Sequence, residues 1–234
     1  MPRAVLFDLF GTLVPSPLNS EYRSVVDSMA KVAGLNPDEF YPRWMSINDD
    51  RLKGTNRSSE GEIEQAMRLV GVTLSEEQMA ECVQMRYDAM KFRLAPKPGC
   101  IEMLTQLAAS GVRLGLVSDC VHDVPAIWPS TPFADLLTTT VFSCVEGTRK
   151  PDPALYHTAM NGLGVTPSES IFIGDGGSNE LQGARDLGIS AYFLDDQPED
   201  QSTVLRVDVH EWDGPSINSL ADVPALVGCH DDNR

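Results

Sequence analysis

Residues 4–13, Ala-Val-Leu-Phe-Asp-Leu-Phe-Gly-Thr-Leu, restrict the fold more than any other stretch of the chain. Four apolar residues in a row, closed by a Gly-Thr turn, read as a strand buried on both faces, and such strands belong to parallel sheets covered by helices. Asp8 stands at the exit of that strand. A carboxylate there is costly to bury unless it meets a cation, hydrogen-bond donors or a ligand. The carboxyl ends of strands are also where open α/β sheets bind ligands. Asp8 is therefore the first candidate for chemistry.

Pro15, Ser16 and Pro17 break the pattern, and from about Asn19 to Leu94 the text turns helical. Val25, Met29, Val32 and Ala33 fall at helical spacing before Gly34, and Asn36-Pro37-Asp38-Glu39 opens a second helix through Phe40, Trp44 and Ile47. Two more amphipathic stretches cover Ser59–Val70 and Ser75–Phe92, the latter opened by Ser75 with Gln78 at capping-box spacing. No strand is predicted here. The block reads as a helical insertion, 17–94, between two parts of one core, 1–16 and 95–234.

After Lys97-Pro98-Gly99 the text alternates. Helices are predicted over Cys100–Ala109 and Pro153–Leu163, with another reaching Leu187-Gly188. Strands are predicted at Arg113–Val117, Thr139–Ser143, Ser170–Ile173 and Ser190–Leu194. A late strand over Leu205–Val209 and a final helix over Ile217–Val227 complete the reading. Such alternation predicts an α/β fold with a doubly wound parallel sheet.

Composition narrows the partners. The chain has 234 residues and a formal net charge of −16, which disfavours nucleic acid or an anionic membrane. An anionic substrate would need local cations to offset that field. No apolar run is long enough for a membrane span, and the first residues lack a signal-peptide layout, so a cytoplasmic location is expected. The cysteines (Cys82, Cys100, Cys120, Cys144, Cys229) have no metal-ligand spacing and read as free thiols.

Four polar signals fall at the ends of predicted strands or in the adjoining loops: Asp8, Ser118-Asp119, Lys150 and Asp175. Paired carboxylates offer hard oxygen ligands to a divalent cation. Lys150 can steady an anionic nucleophile and substrate, and Ser118 can donate a hydrogen bond to a transferring group. Asp8 can itself be a nucleophile, because carboxylates form covalent aspartyl intermediates.

In order and spacing these residues resemble the haloacid dehalogenase (HAD) superfamily. Asp8-Leu9-Phe10-Gly11-Thr12 is similar to its first motif, Val117-Ser118-Asp119 to the second, Lys150-Pro151-Asp152-Pro153 to the third, and Gly174-Asp175 through Asn179-Glu180 to the acidic fourth. The resemblance implies a Rossmann-like core carrying a helical C1 cap, here the 17–94 block. It implies Asp8 as nucleophile, with Thr12, Ser118 and Lys150 as catalytic companions. Mg²⁺ would be held by Asp8, the backbone carbonyl of Phe10 and Asp175, with Asn179 and Glu180 ordering the surrounding shell and Asp119 close to the substrate.

Phe10 departs from the phosphatase pattern, in which a second Asp at that position protonates the leaving group. A phenyl ring transfers no proton. Within the family, 2-haloacid dehalogenases carry an aromatic there and need no metal, whereas Gly174-Asp175 matches the metal-dependent majority. The favoured expectation is a Mg²⁺-dependent phosphatase of a small phosphorylated metabolite, acting as a monomer or homodimer. The alternatives are a 2-haloacid dehalogenase and a weakly active binding protein. His122, near the second motif, is a candidate substitute acid but reads first as a surface or capping residue. Arg51, Lys53 and Arg57 form a basic group that could anchor a substrate anion or merely end a helix. Tyr41 and Trp44 are expected in the cap core.

Overall fold

Strand β1 (Ala4–Phe7) lies in the middle of the sheet, between β2 (Arg113–Ser118) and β4 (Ser170–Gly174). The computed structural model describes residues 2–16, 18–196 and 212–229. With β3 (Thr139–Phe142), β5 (Ser190–Leu194) and β6 (Ser216–Ile217) the order is β3-β2-β1-β4-β5-β6, every pairing parallel. This is the α/β architecture expected from the alternating text.

The period-two pleat sends successive β1 residues to opposite faces. Val5 and Phe7 join Leu114, Leu116, Ile171 and Ile173 against helix α6 and the Trp128–Phe133 stack, while Ala4 and Leu6 join Val117 and Phe172 beneath helices α9 and α10. Here α6 is Cys100–Ala109, α9 is Pro153–Leu163 and α10 is Glu180–Asp186. Leu6 and Phe7 have no exposed surface; side chains buried so completely contribute about 1.5–3 kcal/mol each.

Between β1 and α6 the chain is helical: α1 (Asn19–Val32), α2 (Pro37–Ser46), α3 (Asn48–Leu52), α4 (Ser59–Leu69) and α5 (Glu76–Arg93). Ser75 caps α5 through the expected capping box with Gln78, and Asn36 caps α2 by accepting from the Asp38 N–H. These helices share a core containing Met29, Phe40, Trp44, Ile63 and Cys82. A buried ionic joint binds them to the sheet domain. The Arg86 guanidinium on α5 donates to Glu62 on α4 at 2.5 Å and to Asp123 at 2.9 Å, and Ser59 donates to Asp123 at 2.6 Å. Asp123 opens the short helix α7 (Asp123–Ile127), just beyond β2.

Two sequence expectations shift, and a third goes untested. The strand predicted through Ser143 stops at Phe142, because Ser143 begins the short helix α8 (Ser143–Glu146) and its hydroxyl donates to the Leu52 carbonyl. Ile217 lies in β6 rather than starting a helix. Ser219 instead caps a short turn at Leu220–Asp222, from which α11 (Val223–Leu226) continues. The strand predicted over Leu205–Val209 lies outside the described residues.

Candidate active site

Parallel register brings the motif residues to one edge. Phe7 sits opposite Leu116 on β2 and Ile173 on β4, so the residues following each strand emerge side by side. The Asp8 amide donates to the Ile173 carbonyl at 2.9 Å, extending the ladder by one bond and fixing the carboxylate. Asp8 Oδ1 accepts from Lys150 Nζ at 2.5 Å, and Oδ2 accepts from the Thr12 hydroxyl at 3.2 Å. Lys150 Nζ also donates to Glu180. All of these side chains are buried.

Asp8, Asp175 and Glu180 each offer a carboxylate oxygen, and the three oxygens lie within 4.8 Å of one another. Two glycines make the convergence possible. A Cβ on Gly11, whose φ is +86°, would lie 2.0 Å from Asp175 Oδ2, and one on Gly174 would lie 2.1 Å from Glu180 Oε1. Only hydrogen fits at either position. Glu180 also accepts from the Gly176 amide at 3.1 Å, and the Tyr156 hydroxyl donates to the Glu180 carbonyl at 2.8 Å. Asp175 accepts from the Gly177 amide at 3.2 Å.

Three acids meet one ammonium here, and the electrostatics follow. Burial raises the Asp8 carboxyl above its ordinary value against the pull of Lys150, and the Asp175 charge adds to the rise. Burial raises Glu180 well above the usual carboxylate range, with the Asp8 charge reinforcing it. Burial by itself would lower Lys150, but Asp8 and Glu180 outweigh it and hold the ammonium well above its ordinary value. A lysine so placed stays charged.

Asp119 accepts from the Lys150 amide at 2.9 Å, and its second oxygen lies 3.4 Å from Arg149 Nε. The Ser118 hydroxyl is fully buried and has no nitrogen or oxygen partner among the described residues. It interacts with the Cys120 side chain, whose sulfur is a weak hydrogen-bonding partner. Above these residues lies a cavity of about 170 Å³. Asp8, Phe10, Asp119, Lys150, Asp175 and Glu180 line it from the sheet side, and Tyr22, Tyr41, Arg51 and Arg93 from the helical block.

Several expected residues stand elsewhere. Lys53 is paired with Asp49 at 2.7 Å, and neither it nor Asn179, which is exposed, lines the cavity. His122 Nδ1 lies 2.9 Å from Glu62 and serves the ionic joint rather than the cavity. Tyr41 lines the cavity, whereas Trp44 is buried in the helical core as expected. Glu180, expected to order a surrounding shell, is itself paired with Lys150 and belongs to the acidic trio. Arg93 and Tyr22 escaped the sequence reading because they fall on helical text that carries no motif. Cys120 lines the cavity, and burial raises its thiol pKa well above the ordinary value.

The buried lysine–carboxylate cluster stands at the carboxyl edge of a parallel sheet, where open α/β folds bind their ligands. The family model for haloacid dehalogenase-like hydrolases matches residues 2–188, and the chain belongs to that family. It is 28% identical over 198 residues to a glyceraldehyde 3-phosphate phosphatase of Methanopyrus kandleri, covering 81% of this chain and 82% of the relative. It is 27% identical over 185 residues to a phosphoglycolate phosphatase of Rhodospirillum rubrum, covering 75% of this chain and 72% of the relative. Among solved structures, a HAD phosphatase from Thermococcus onnurineus superposes with TM-score 0.65 at 23% identity, covering 98% of this chain and 99% of that one. An L-2-haloacid dehalogenase from Xanthobacter autotrophicus superposes with TM-score 0.63 at 20% identity, covering 97% and 98%. The fold is thus common to phosphatases and dehalogenases.

Proposed function

We propose that this chain is a Mg²⁺-dependent phosphatase of a small phosphorylated metabolite, working through an aspartyl-phosphate on Asp8. The acidic trio carries the reading, and the phosphatase names of the relatives agree with it. Hard carboxylate oxygens are the donors that Mg²⁺ selects, and oxygens on opposite sides of one Mg²⁺ stand roughly 4.2 Å apart. The separation within the trio, up to 4.8 Å, is close to that span. Asp8, Asp175 and the Phe10 carbonyl are the expected holders, with Glu180 now added to them. Bound there, Mg²⁺ would neutralise the repulsion between an anionic nucleophile and an anionic phosphate.

In this reading an Asp8 oxygen attacks phosphorus while Thr12 and Lys150 hold the carboxylate in line. A bond from Asp8 to phosphorus forms, and the ester bond to the leaving alcohol breaks. Lys150 offsets charge on the transferring group, and the Ser118 hydroxyl donates to one of its oxygens. Water then attacks the aspartyl-phosphate, releasing phosphate and restoring Asp8. Phe10 supplies no proton to the leaving oxygen, so that proton comes from solvent. The helical block acts as a cap that closes the cavity.

The test is phosphate release from an aryl phosphate with and without Mg²⁺. Activity that is lost with EDTA and in Asp8→Asn supports the proposal, and activity unchanged in Asp8→Asn refutes it. A second reading rests on Phe10, which lines the cavity at the place of the usual acid. Halide leaves without a proton, so a 2-haloacid dehalogenase would lose nothing there. Metal-independent halide release from a short 2-haloacid would favour that reading.

A further inference from the structure

The cavity carries two cations that the proposed chemistry at Asp8 does not use. Arg51, on α3, is only 1% exposed, and its Nε has no hydrogen-bond partner among the described residues. Among the described residues its side chain hydrogen-bonds only to a neutral partner: Nη2 donates to Asn48 Oδ1 at 2.9 Å. Arg93, half-buried at the end of α5, has a buried Nη2 that is likewise unpartnered among the described residues. No carboxylate of the described residues forms an ion pair with either guanidinium. This contrasts with Arg86 nearby, whose charge is matched by both Glu62 and Asp123.

Aromatic rings hold both groups in place. The Arg51 guanidinium lies 4.2 Å from the Trp44 ring centroid and 5.9 Å from that of Tyr22, and Arg93 lies 5.5 Å from the Tyr22 ring. Trp44 Nε1 donates to the Tyr22 hydroxyl at 2.5 Å, which locks the two rings together. Ring faces attract a cation but accept none of its in-plane N–H bonds. A buried guanidinium with an unpartnered N–H and no ion pair, as at Arg51, is costly, and an anionic oxygen is what satisfies it; half-buried Arg93 feels Glu21 and Asp123 at longer range.

We infer that Arg51 and Arg93, set on the Tyr22–Trp44 shelf, form a second anion subsite that binds a carboxylate carried by the substrate alongside its reacting phosphate. This inference rests on the phosphatase reading for the reacting group but not for the subsite itself. A cavity of about 170 Å³ is small for a ligand pocket. It suits a short phosphorylated hydroxy acid, with the phosphate at Asp8 and the carboxylate toward the helices.

A matched pair of ligands tests the subsite. Phospholactate and isopropyl phosphate differ by a carboxylate in place of a methyl group. Their dissociation constants are measured by calorimetry with Mg²⁺ on full-length Asp8→Asn, so that turnover plays no part. Phospholactate should bind at least tenfold more tightly. Arg93→Met should reduce that preference to within threefold while leaving the affinity for isopropyl phosphate within twofold. Arg51→Lys, which keeps the charge in case Arg51→Met does not fold, should lose part of the preference because a lysine cannot reproduce the guanidinium fork. Equal binding of the two ligands, binding of neither, or a preference that survives in both arginine variants would overturn the subsite. Failure of the phosphatase reading shows up separately, as wild-type protein that hydrolyses no phosphate ester with Mg²⁺.

Discussion

Replacing Arg86 by Met tests how the helical block is fastened to the sheet domain. In the native protein the Arg86 side chain is 3% exposed, and its partners Glu62 and Asp123 are 0% and 5% exposed. It donates to Glu62, to Asp123 and, at 3.1 Å, to the Ser59 carbonyl. Methionine fills much of the volume but leaves two carboxylates buried without their cation. Breaking a buried ion pair from one side costs about 3–5 kcal/mol, more than the pair itself is worth, because the orphaned charge keeps its desolvation penalty. For a chain of this size that corresponds to a fall in Tm of roughly 6–20 °C. Urea unfolding followed by tryptophan fluorescence reads the loss, since Trp44 packs 5.1 Å from the Arg86 guanidinium. Removing the stranded charges in the triple variant Arg86→Met/Glu62→Gln/Asp123→Asn should recover about half of it. A loss below about 1 kcal/mol, or a triple variant less stable than Arg86→Met, would refute the account of a dry, ion-paired joint.

Lys150→Met should lower phosphatase kcat by 10²–10³-fold, the usual cost of losing one preorganised charge partner, measured at saturating substrate. At the surface, Arg3 donates to Glu169 at 2.8 Å, and this bond, with the Thr166 capping interactions, holds the Glu169 carboxyl down to about 2. The stability it contributes is fully present above the ordinary glutamate value and is lost as pH falls through about 2. NMR titration should find that midpoint in the native protein and find it moved toward 4.5 in Arg3→Ala. Burial pushes the Cys100 thiol up to about 12, so mass spectrometry should find it unmodified by iodoacetamide at pH 8 in the folded protein and modified once guanidinium unfolds the chain.

The parts of this architecture that sequence made legible are those where one local signal suffices. Ala4–Phe7 could be read as a doubly buried strand because its alternate residues must each find a hydrophobic face, and both faces are covered. Ser75 and Gln78 marked the start of α5 because a capping box is a contact between residues three apart. Lys150 could be placed near Asp8 only by motif order, since 142 residues separate them and no local signal joins the loop that carries it to β1. The cap-side cations were least legible. Arg51 sat in a recognisable basic cluster, but Lys53 in the same cluster pairs outward with Asp49. Arg93 sat on no motif at all. Which arginine faces inward depends on where α3 and α5 dock, and docking is settled by contacts such as Ser143 to Leu52 and Arg86 to Asp123 that join distant segments.

Phe10 is where sequence and geometry together sharpen the question. The ring lines the cavity while packing against the main sheet core, so it is at once a wall of the site and part of the hydrophobic interior. Phe10→Asp would restore the acid of the phosphatase pattern and remove that wall. If the ring merely occupies the place of an acid, turnover of an alkyl phosphate should rise on the order of 10²-fold, the low end of what a positioned general acid supplies. An aryl phosphate, whose leaving group needs no proton, should gain far less. A fall with both substrates, in a variant whose Tm stays within a few degrees of the parent, would mean that the ring itself orients the ligand. In that case the acidic trio and the aromatic wall belong to one design, and proton delivery to the leaving group would have to come from solvent.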